Sequence, residues 1–94
     1  MENLTFSQAL EACKDGKKIA RAGWNGKGMF VWELPAENIT EDRIEDPIVK
    51  QIAAGKGSVT FDSTLRMYTA TGSIQTGWLA SQADMFAKDW MIVA

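Results

Sequence analysis

The segment TFSQALEACKDG, residues 5–16, decides the first element of the fold. Its apolar residues recur at the i, i+3, i+4 and i+7 spacing of an amphipathic helix: Phe6, Ala9, Leu10 and Cys13. Thr5 and Gln8 have the spacing of a capping box, and Gly16 is typical of a helix end. A helix with one apolar stripe is stable only when the stripe packs on another element. The segment therefore predicts a short N-terminal helix docked on the rest of the domain.

Alternating and aromatic-rich runs after this helix predict strands of an antiparallel sheet. The runs are residues 18–21, 29–34, 58–62, 65–70, 73–76 and 90–93. Thr71 and Gly72 are typical of a hairpin turn between two of these strands. Ser81 and Asp84 have the spacing of a cap for one helical turn that runs through Ala87. The predicted fold class is α+β, with a short amphipathic helix packed on an antiparallel sheet of about five strands.

Residues 35–58 differ in composition from the rest of the chain, because they are acidic and loop-like. Asp46, Pro47 and Gly55 predict one short helix over residues 48–54. We interpret the stretch as an insertion within a single domain of residues 1–94, since this length suits one hydrophobic core.

Composition excludes several function classes. The chain has no histidine, which is the commonest general base and metal ligand, and its single cysteine, Cys13, excludes intrachain disulfides and cysteine-based zinc sites. We therefore expect no metal, no cofactor and a buried, unreactive Cys13. No apolar run reaches the roughly 18 residues of a membrane span, and the first residues do not resemble a signal peptide, so a cytoplasmic protein is expected. The net charge of −2 disfavours binding to DNA or RNA polymers.

Two of the four tryptophans are candidates for ligand contact. Trp24 and Trp78 are each flanked by glycine, and a large ring on a glycine-rich turn either stacks on a planar ligand or plugs the open end of a small sheet. The local pattern favours neither alternative. Trp32 and Trp90 lie inside apolar strands, which predicts that both belong to the core.

Polar side chains close to these rings have the donors and acceptors that recognise a ribose or a base: Asn25, Ser81, Gln82 and Asp84. Arg21 and Lys27 are candidates for phosphate contacts, with arginine the better shaped of the two. Ser81 and Asp84 have an alternative role as helix caps. Lys27 has an alternative role as a solvated residue of a turn.

Two motifs, KKIARAGWNGKGM at residues 17–29 and WLASQADMFAKDW at residues 78–90, resemble the second class of Thoeris anti-defence proteins, a family of small phage and bacterial proteins. The resemblance implies a phage-encoded sponge, a protein that holds cyclic ADP-ribose isomers made by bacterial TIR-domain proteins, such as glyco-cyclic ADP-ribose, without cleaving them. It also implies a homo-oligomer, commonly a tetramer built as a dimer of dimers, with ligand pockets at protomer interfaces. Some members hold cyclic oligonucleotides at a second site.

Carried onto this chain, the resemblance assigns ligand contact to residues of both motifs: Trp24, Asn25, Trp78, Ser81, Gln82, Asp84, Arg21 and Lys27. It implies no catalytic residue. Gly77 departs from the family pattern, in which proline often precedes the second-motif tryptophan, and glycine makes the approach to Trp78 more flexible.

Two other functions are consistent with the residues alone. Asp84, Asp89 and Glu33 are carboxylates that a histidine-free phosphodiesterase or glycosidase would use as acid and base. The basic run between Lys14 and Lys27, together with exposed tryptophans, suits a protein-interaction or single-stranded nucleic-acid module, and the negative net charge disfavours the latter. An enzyme releases altered ligand repeatedly, whereas a sponge saturates and returns its ligand unchanged.

Overall fold

The computed structural model describes residues 2–24 and 27–94. Its elements, in chain order, are α1 (Phe6–Lys14), β1 (Lys18–Arg21), β2 (Phe30–Leu34), β3 (Glu37–Thr40), a 3-10 helix (Glu41–Arg43), α2 (Pro47–Ala53), β4 (Ser58–Phe61), β5 (Thr64–Tyr68), β6 (Ile74–Thr76), α3 (Gln82–Phe86) and β7 (Trp90–Val93). Five strands form an antiparallel sheet in the order β6-β5-β2-β1-β7, and β3 pairs with β4 in a second sheet. The predicted α+β class and the five-stranded main sheet are confirmed.

α1 begins with the predicted capping box. The Thr5 Oγ1 accepts a hydrogen bond from the Gln8 backbone N–H at 3.2 Å, and the Gln8 side chain accepts one from the Thr5 N–H at 2.9 Å. These bonds satisfy two donors that the start of a helix otherwise leaves unpaired. The helix is followed by Gly16, whose φ of +89° is a left-handed conformation that favours glycine.

The core lies between α1 and one face of the main sheet. Its members are Ala9, Cys13, Ile19, Val31, Met67 and Trp90. The register pairs Ile19 with Val31 and Val31 with Met67, so three neighbouring strands place apolar side chains in one row facing the helix. Cys13 and Trp90 are completely buried, which confirms both predictions.

The sheet face away from α1 is called here the outer face. Its apolar side chains are Ala20, Phe30, Trp32, Leu34, Tyr68, Ile74, Met91 and Val93. Because side chains alternate along a strand, Trp32 points away from Val31 and the core. Trp32 is half-buried, and the guanidinium carbon of Arg66 lies 4.9 Å from its ring centroid. The prediction that Trp32 belongs to the core is therefore wrong, since the apolar run of β2 supplies both faces of the sheet.

The acidic stretch contains the predicted helix. α2 begins at Pro47, and the Asp46 side chain accepts hydrogen bonds from the N–H groups of Ile48 at 2.9 Å and Val49 at 3.2 Å. Asp46 is therefore the N-cap that the sequence predicts.

The same stretch also contains a strand that the sequence did not predict. β3 pairs with β4, with Ile39 opposite Val59, so residues 58–61 lie outside the main sheet to which the strand pattern assigned them. Glu37, Asn38 and Thr40 are exposed, and a strand with one half-buried apolar residue has too weak an alternation to be recognised. No helix among the described residues is long and apolar enough to cross a membrane.

Candidate functional site

The two motifs meet at one end of the main sheet. We call this place the motif junction, and it consists of Arg21, Gly23, Trp24, Trp78, Ser81, Asp84, Asp89 and Trp90. Antiparallel pairing of β1 with β7 puts Arg21 opposite Trp90. Residues that follow β1 consequently lie beside residues that precede β7, and the backbone N–H of Ala22 donates to the Asp89 carbonyl at 3.0 Å.

One arginine joins the two carboxylates of the motif junction. Arg21 Nη1 donates to Asp84 Oδ1 at 2.9 Å, and Arg21 Nε donates to Asp89 Oδ1 at 2.9 Å. The Arg21 side chain is 20% exposed, against 12% for Asp84 and 32% for Asp89. Hydrogen bonds between charged groups that are this well shielded are stronger than surface ion pairs, because water competes with them less. The two pairs thus fix the Arg21 guanidinium of the first motif to two carboxylates of the second motif.

Asp84 is the centre of the motif junction. In addition to Arg21, it accepts hydrogen bonds from Trp24 Nε1 and from the Ser81 backbone N–H, both at 3.2 Å. Ser81 Oγ accepts from the Asp84 N–H at 3.1 Å, which completes a capping box at the start of α3 and confirms the predicted cap. Burial by itself raises the pKa of Asp84, but the hydrogen bonds from Arg21, Trp24 and Ser81 outweigh it and lower the pKa below its usual range. The carboxylate is therefore ionised at neutral pH.

Asp89 holds the other side of the guanidinium. Its Oδ2 accepts a hydrogen bond from the Gly23 backbone N–H at 2.8 Å. The hydrogen bond from Arg21 is the main reason that the pKa of Asp89 is lowered; partial burial opposes this effect, and the Gly23 N–H adds to it. The pKa of Arg21 is raised in turn by its hydrogen bonds to Asp89 and Asp84.

Trp24 contacts two other tryptophans in the motif junction. The Trp24 ring lies edge-on to Trp78, with centroids 5.9 Å apart, and edge-on to Trp90, with centroids 5.4 Å apart. Trp90 Nε1 donates to the backbone carbonyl of Asp84 at 2.8 Å. Trp24 and Trp78 are half-buried and pack against the core, so part of each ring remains accessible.

A concave pocket of about 370 Å³ opens beside the motif junction, where the outer face meets the connection between β1 and β2. We call it the sheet-face pocket; its lining residues are Ala20, Arg21, Ala22, Trp24, Lys27, Gly28, Met29, Phe30, Met91 and Val93. Lys18 stands near it, with Nζ 4.9 Å from the centroid of the Phe30 ring. No carboxylate belongs to the lining among residues 2–24 and 27–94. The pocket combines an apolar floor with positive charge, which favours a planar anionic ligand.

The family model for the Thoeris anti-defense 2-like domain matches residues 4–93. The chain belongs to the Thoeris anti-defense 2-like family. It is similar to the protein "Thoeris anti-defense 2" of Bacillus phage SP01, with 31% identity over 98 aligned positions that cover 97% of this chain and 96% of the relative. Family membership supports an anti-defence role, and the relative comes from a phage.

In this Thoeris anti-defense 2-like chain, the residues predicted to contact a ligand fall into two groups. Arg21, Trp24 and Lys27 line the sheet-face pocket. Trp78, Ser81 and Asp84 lie in the motif junction, to which Arg21 and Trp24 also belong. Gln82 is exposed at the start of α3, and Asn25 lies outside the described residues. Their contacts with a ligand stay predictions.

The sequence motifs did not identify the floor of the pocket. Phe30, Met91 and Val93 lie just beyond the motifs, and Lys18 lies within the first motif but has no local feature that distinguishes it from the other lysines of the basic run. Strand alternation in β1, β2 and β7 would have placed these residues on one sheet face, but only once the pairing of the three strands was known.

A second cavity of this Thoeris anti-defense 2-like chain, about 160 Å³, lies on the α1 side of the sheet. Its lining residues are Leu10, Cys13, Lys14, Glu33, Ser63, Thr64 and Leu65. Burial raises the pKa of the Cys13 thiol, and the charge of Glu33 raises it further, so the thiol is protonated at neutral pH. The described part of the chain contains no cluster of side chains suited to a metal ion.

Proposed function

We propose that this chain is a sponge that binds and sequesters cyclic ADP-ribose-type signalling nucleotides, such as glyco-cyclic ADP-ribose, without cleaving them. Removing the signal would keep the Thoeris effector inactive, in agreement with the anti-defence role of the family. The observation that carries the proposal is the sheet-face pocket, with its aromatic and apolar floor, its cations and no carboxylate among the described lining residues.

The pocket supplies the two interactions that a dinucleotide-like ligand requires. The adenine ring stacks on an aromatic side chain such as Phe30 or Trp24, which contributes about 1–3 kcal/mol. Phosphates pair with Lys27 and with Lys18, whose ammonium lies over the Phe30 ring. A volume of about 370 Å³ is within the usual range for small-molecule sites.

The state of the carboxylates favours sequestration over the phosphodiesterase or glycosidase alternative. Asp84 and Asp89 both accept hydrogen bonds from Arg21, and the pKa of each is lowered. A general acid at neutral pH needs a raised pKa, and a general base needs a lone pair directed at the substrate. Donors from Arg21, Trp24 and the Ser81 backbone occupy lone pairs of Asp84, and donors from Arg21 and the Gly23 backbone occupy lone pairs of Asp89, so these groups suit a structural role.

The proposed sponge is a homo-oligomer, with the homotetramer as the expected form, and it acts in the cytoplasm of the bacterial host. The sheet-face pocket opens on the outer face, where Tyr68 is 38% exposed and Ile74 is 58% exposed. A second copy on this face would bury these side chains and enclose the ligand, as a small domain cannot do alone. Light scattering at micromolar concentration tests the assembly, and a monomer would contradict it.

The central experiment measures retention and recovery of the nucleotide. Purified protein is mixed with cyclic ADP-ribose isomers, freed of unbound nucleotide by filtration and heated, and the released material is analysed by chromatography and mass. Unchanged nucleotide in a fixed ratio to protein supports the sponge. A cleaved product in excess of that ratio makes the chain an enzyme. Absence of retention overturns the proposal for these isomers, and cyclic oligonucleotides are then the next ligands.

A matched pair of lysine variants tests the pocket itself. Lys27→Ala removes a cation from the pocket lining, whereas Lys56→Ala removes the same charge from the exposed turn between α2 and β4, which is not part of the lining. We expect Lys27→Ala to weaken binding by about tenfold, the effect of about 1.4 kcal/mol from one charge-assisted hydrogen bond. Equal affinity of the two variants would place the site elsewhere.

A further inference from the structure

Asp89 lies in the motif junction but not in the lining of the sheet-face pocket. It directly precedes β7, and its two carboxylate oxygens bind two points of the first motif. Oδ1 accepts from Arg21 Nε at 2.9 Å, and Oδ2 accepts from the Gly23 N–H at 2.8 Å. The carboxylate therefore binds the chain at the last residue of β1 and again two residues later.

The geometry around Gly23 shows why this position holds a glycine. A Cβ built on Gly23 would lie 2.8 Å from Asp89 Oδ2, which is closer than real Cβ atoms approach. Gly23 is absent from the glycines with positive φ, so the backbone conformation does not require a glycine there. A side chain at this position would displace the Asp89 carboxylate, so Gly23 and Asp89 form one unit.

Trp24 follows Gly23 directly and extends this unit into the pocket. Its Nε1 donates to Asp84 Oδ1, the oxygen that also accepts from Arg21 Nη1. Asp89 accepts hydrogen bonds from Gly23 and Arg21. Asp84 accepts hydrogen bonds from Arg21 and from the Trp24 indole, so Arg21 connects the two carboxylates. The backbone next to Trp24 is thus fixed by Asp89, and the Trp24 ring is fixed by Asp84. Trp24 and Arg21 also line the pocket.

We propose that Asp89 is a positioning residue: it sets Gly23 and Trp24 in the arrangement that binds the ligand, and it does not touch the ligand itself. The inference rests on the proposed function, because it assigns the ligand to the sheet-face pocket. Its physical basis is preorganisation: when a binding-competent arrangement falls to about a tenth of the population, the apparent Kd rises about tenfold. Loss of Asp89 frees the Gly23 N–H and one side of the Arg21 guanidinium, and so lowers that population.

The test compares Asp89→Ala with Asp46→Ala. Both changes remove one negative charge and an aspartate that accepts two hydrogen bonds, but Asp46 caps α2 and belongs neither to the pocket lining nor to the motif junction. Kd for a cyclic ADP-ribose isomer is measured by calorimetry at a temperature where both variants are folded. We expect Asp89→Ala to raise Kd about tenfold with unchanged stoichiometry, and Asp46→Ala to leave it within about twofold. Equal Kd values for the two variants would overturn the inference.

Two further variants distinguish positioning from a general loss of stability. Asp89→Asn keeps an oxygen for the Gly23 N–H but loses the charge that faces Arg21, so its Kd should lie between those of wild type and Asp89→Ala. Gly23→Ala should weaken binding in the wild-type background and cause little additional loss in the Asp89→Ala background, because the atom that the new Cβ meets is then absent. Additive losses in the double variant would contradict the proposed unit.

Hydrogen exchange of the backbone amides separates failure of this inference from failure of the proposed function. If wild type binds no cyclic ADP-ribose isomer, the proposed function fails, whatever the variants do. The Gly23 N–H donates to Asp89 and the Trp24 N–H donates to the Arg21 carbonyl at 3.3 Å, so both amides should exchange faster in Asp89→Ala than in Asp46→Ala without any ligand. Equal exchange rates of these two amides in the two variants would show that Asp89 does not position Gly23 and Trp24.

Discussion

Replacing Asp84 with alanine should destabilise the fold more than any other single substitution of an acidic residue in the described chain. The side chain accepts hydrogen bonds from Arg21 Nη1 at 2.9 Å, from Trp24 Nε1 at 3.2 Å and from the Ser81 N–H at 3.2 Å. Asp84 is also the only charged residue that is buried among those described. Its removal therefore leaves three donors without their acceptor at once.

The expected size of the effect follows from these bonds. A hydrogen bond to a charged group contributes about 1.5–3 kcal/mol, and loss of one member of a buried ion pair costs about 3–5 kcal/mol when the other member is left unpaired. Arg21 keeps its bond to Asp89, so the lower end of this range applies and we expect about 3 kcal/mol. For a domain of this size, that corresponds to a fall in Tm of about 12–24 °C.

Urea unfolding followed by far-ultraviolet circular dichroism measures this loss without relying on tryptophan fluorescence, which the change at Trp24 would itself alter. Asp84→Asn is the companion variant, because it keeps an oxygen acceptor and loses the charge; it should cost about half as much. A double-mutant cycle with Arg21→Met should give a coupling of at least about 1 kcal/mol. A loss below about 1 kcal/mol for Asp84→Ala would refute the reasoning, because desolvation of the carboxylate would then offset its hydrogen bonds.

Three further predictions follow from the structure. Thr5→Ala removes one side of the α1 capping box and should lower the free energy of unfolding in urea by about 1 kcal/mol. No change would show that water replaces the Thr5 hydroxyl at the helix end. Cys13 should react with a thiol reagent only after unfolding, because its thiol is buried and has a raised pKa; rapid reaction of the folded protein would contradict this. Asp84 and Asp89 have lowered pKa values when folded, so the stability they contribute is present above pH 4 or so and is lost as pH falls further. In acid titrations, Asp84→Asn should show a shallower loss of stability than wild type.

Local signals in the sequence were sufficient for the elements that depend on neighbouring residues. Thr5 with Gln8, Asp46 with Pro47, and Ser81 with Asp84 each cap a helix within a few positions, and all three caps are present. The hairpin after β5 likewise follows from a local turn, since Gly72 has a φ of +87°.

Strand register and hydrogen bonds between residues far apart in the sequence could not be predicted from local patterns. The prediction for Trp32 failed because an apolar strand does not show which face it turns to the core, and only the register of Val31 with Met67 decides it. The bonds from Arg21 to Asp84 and Asp89 join residues 63 and 68 positions apart, and no local pattern connects them. Predicting the motif junction would have required the pairing of β1 with β7.

The structure changes how the two motifs are to be interpreted. Arg21, Gly23 and Trp24 of the first motif donate hydrogen bonds to Asp84 and Asp89 of the second. The presence of these five residues in the motifs is therefore explained by bonds between the two motifs. Under the proposed function, such residues would preserve the shape of the site whichever nucleotide occupies it. Three side chains of the pocket floor, Phe30, Met91 and Val93, lie in contrast just outside the motifs.

Ligand choice should therefore depend on the residues that meet the nucleotide without taking part in the motif junction. Phe30 and Met91 lie on the outer face, line the pocket and make no hydrogen bond to the described junction residues. A change of side-chain volume there alters the space for a base, while the carboxylates that orient Arg21 and Trp24 stay in place. Under the proposed function, two chains with the same motif junction would hold different signalling nucleotides when the residues at positions 30 and 91 differ, because Phe30 of β2 and Met91 of β7 form part of the pocket floor outside the junction.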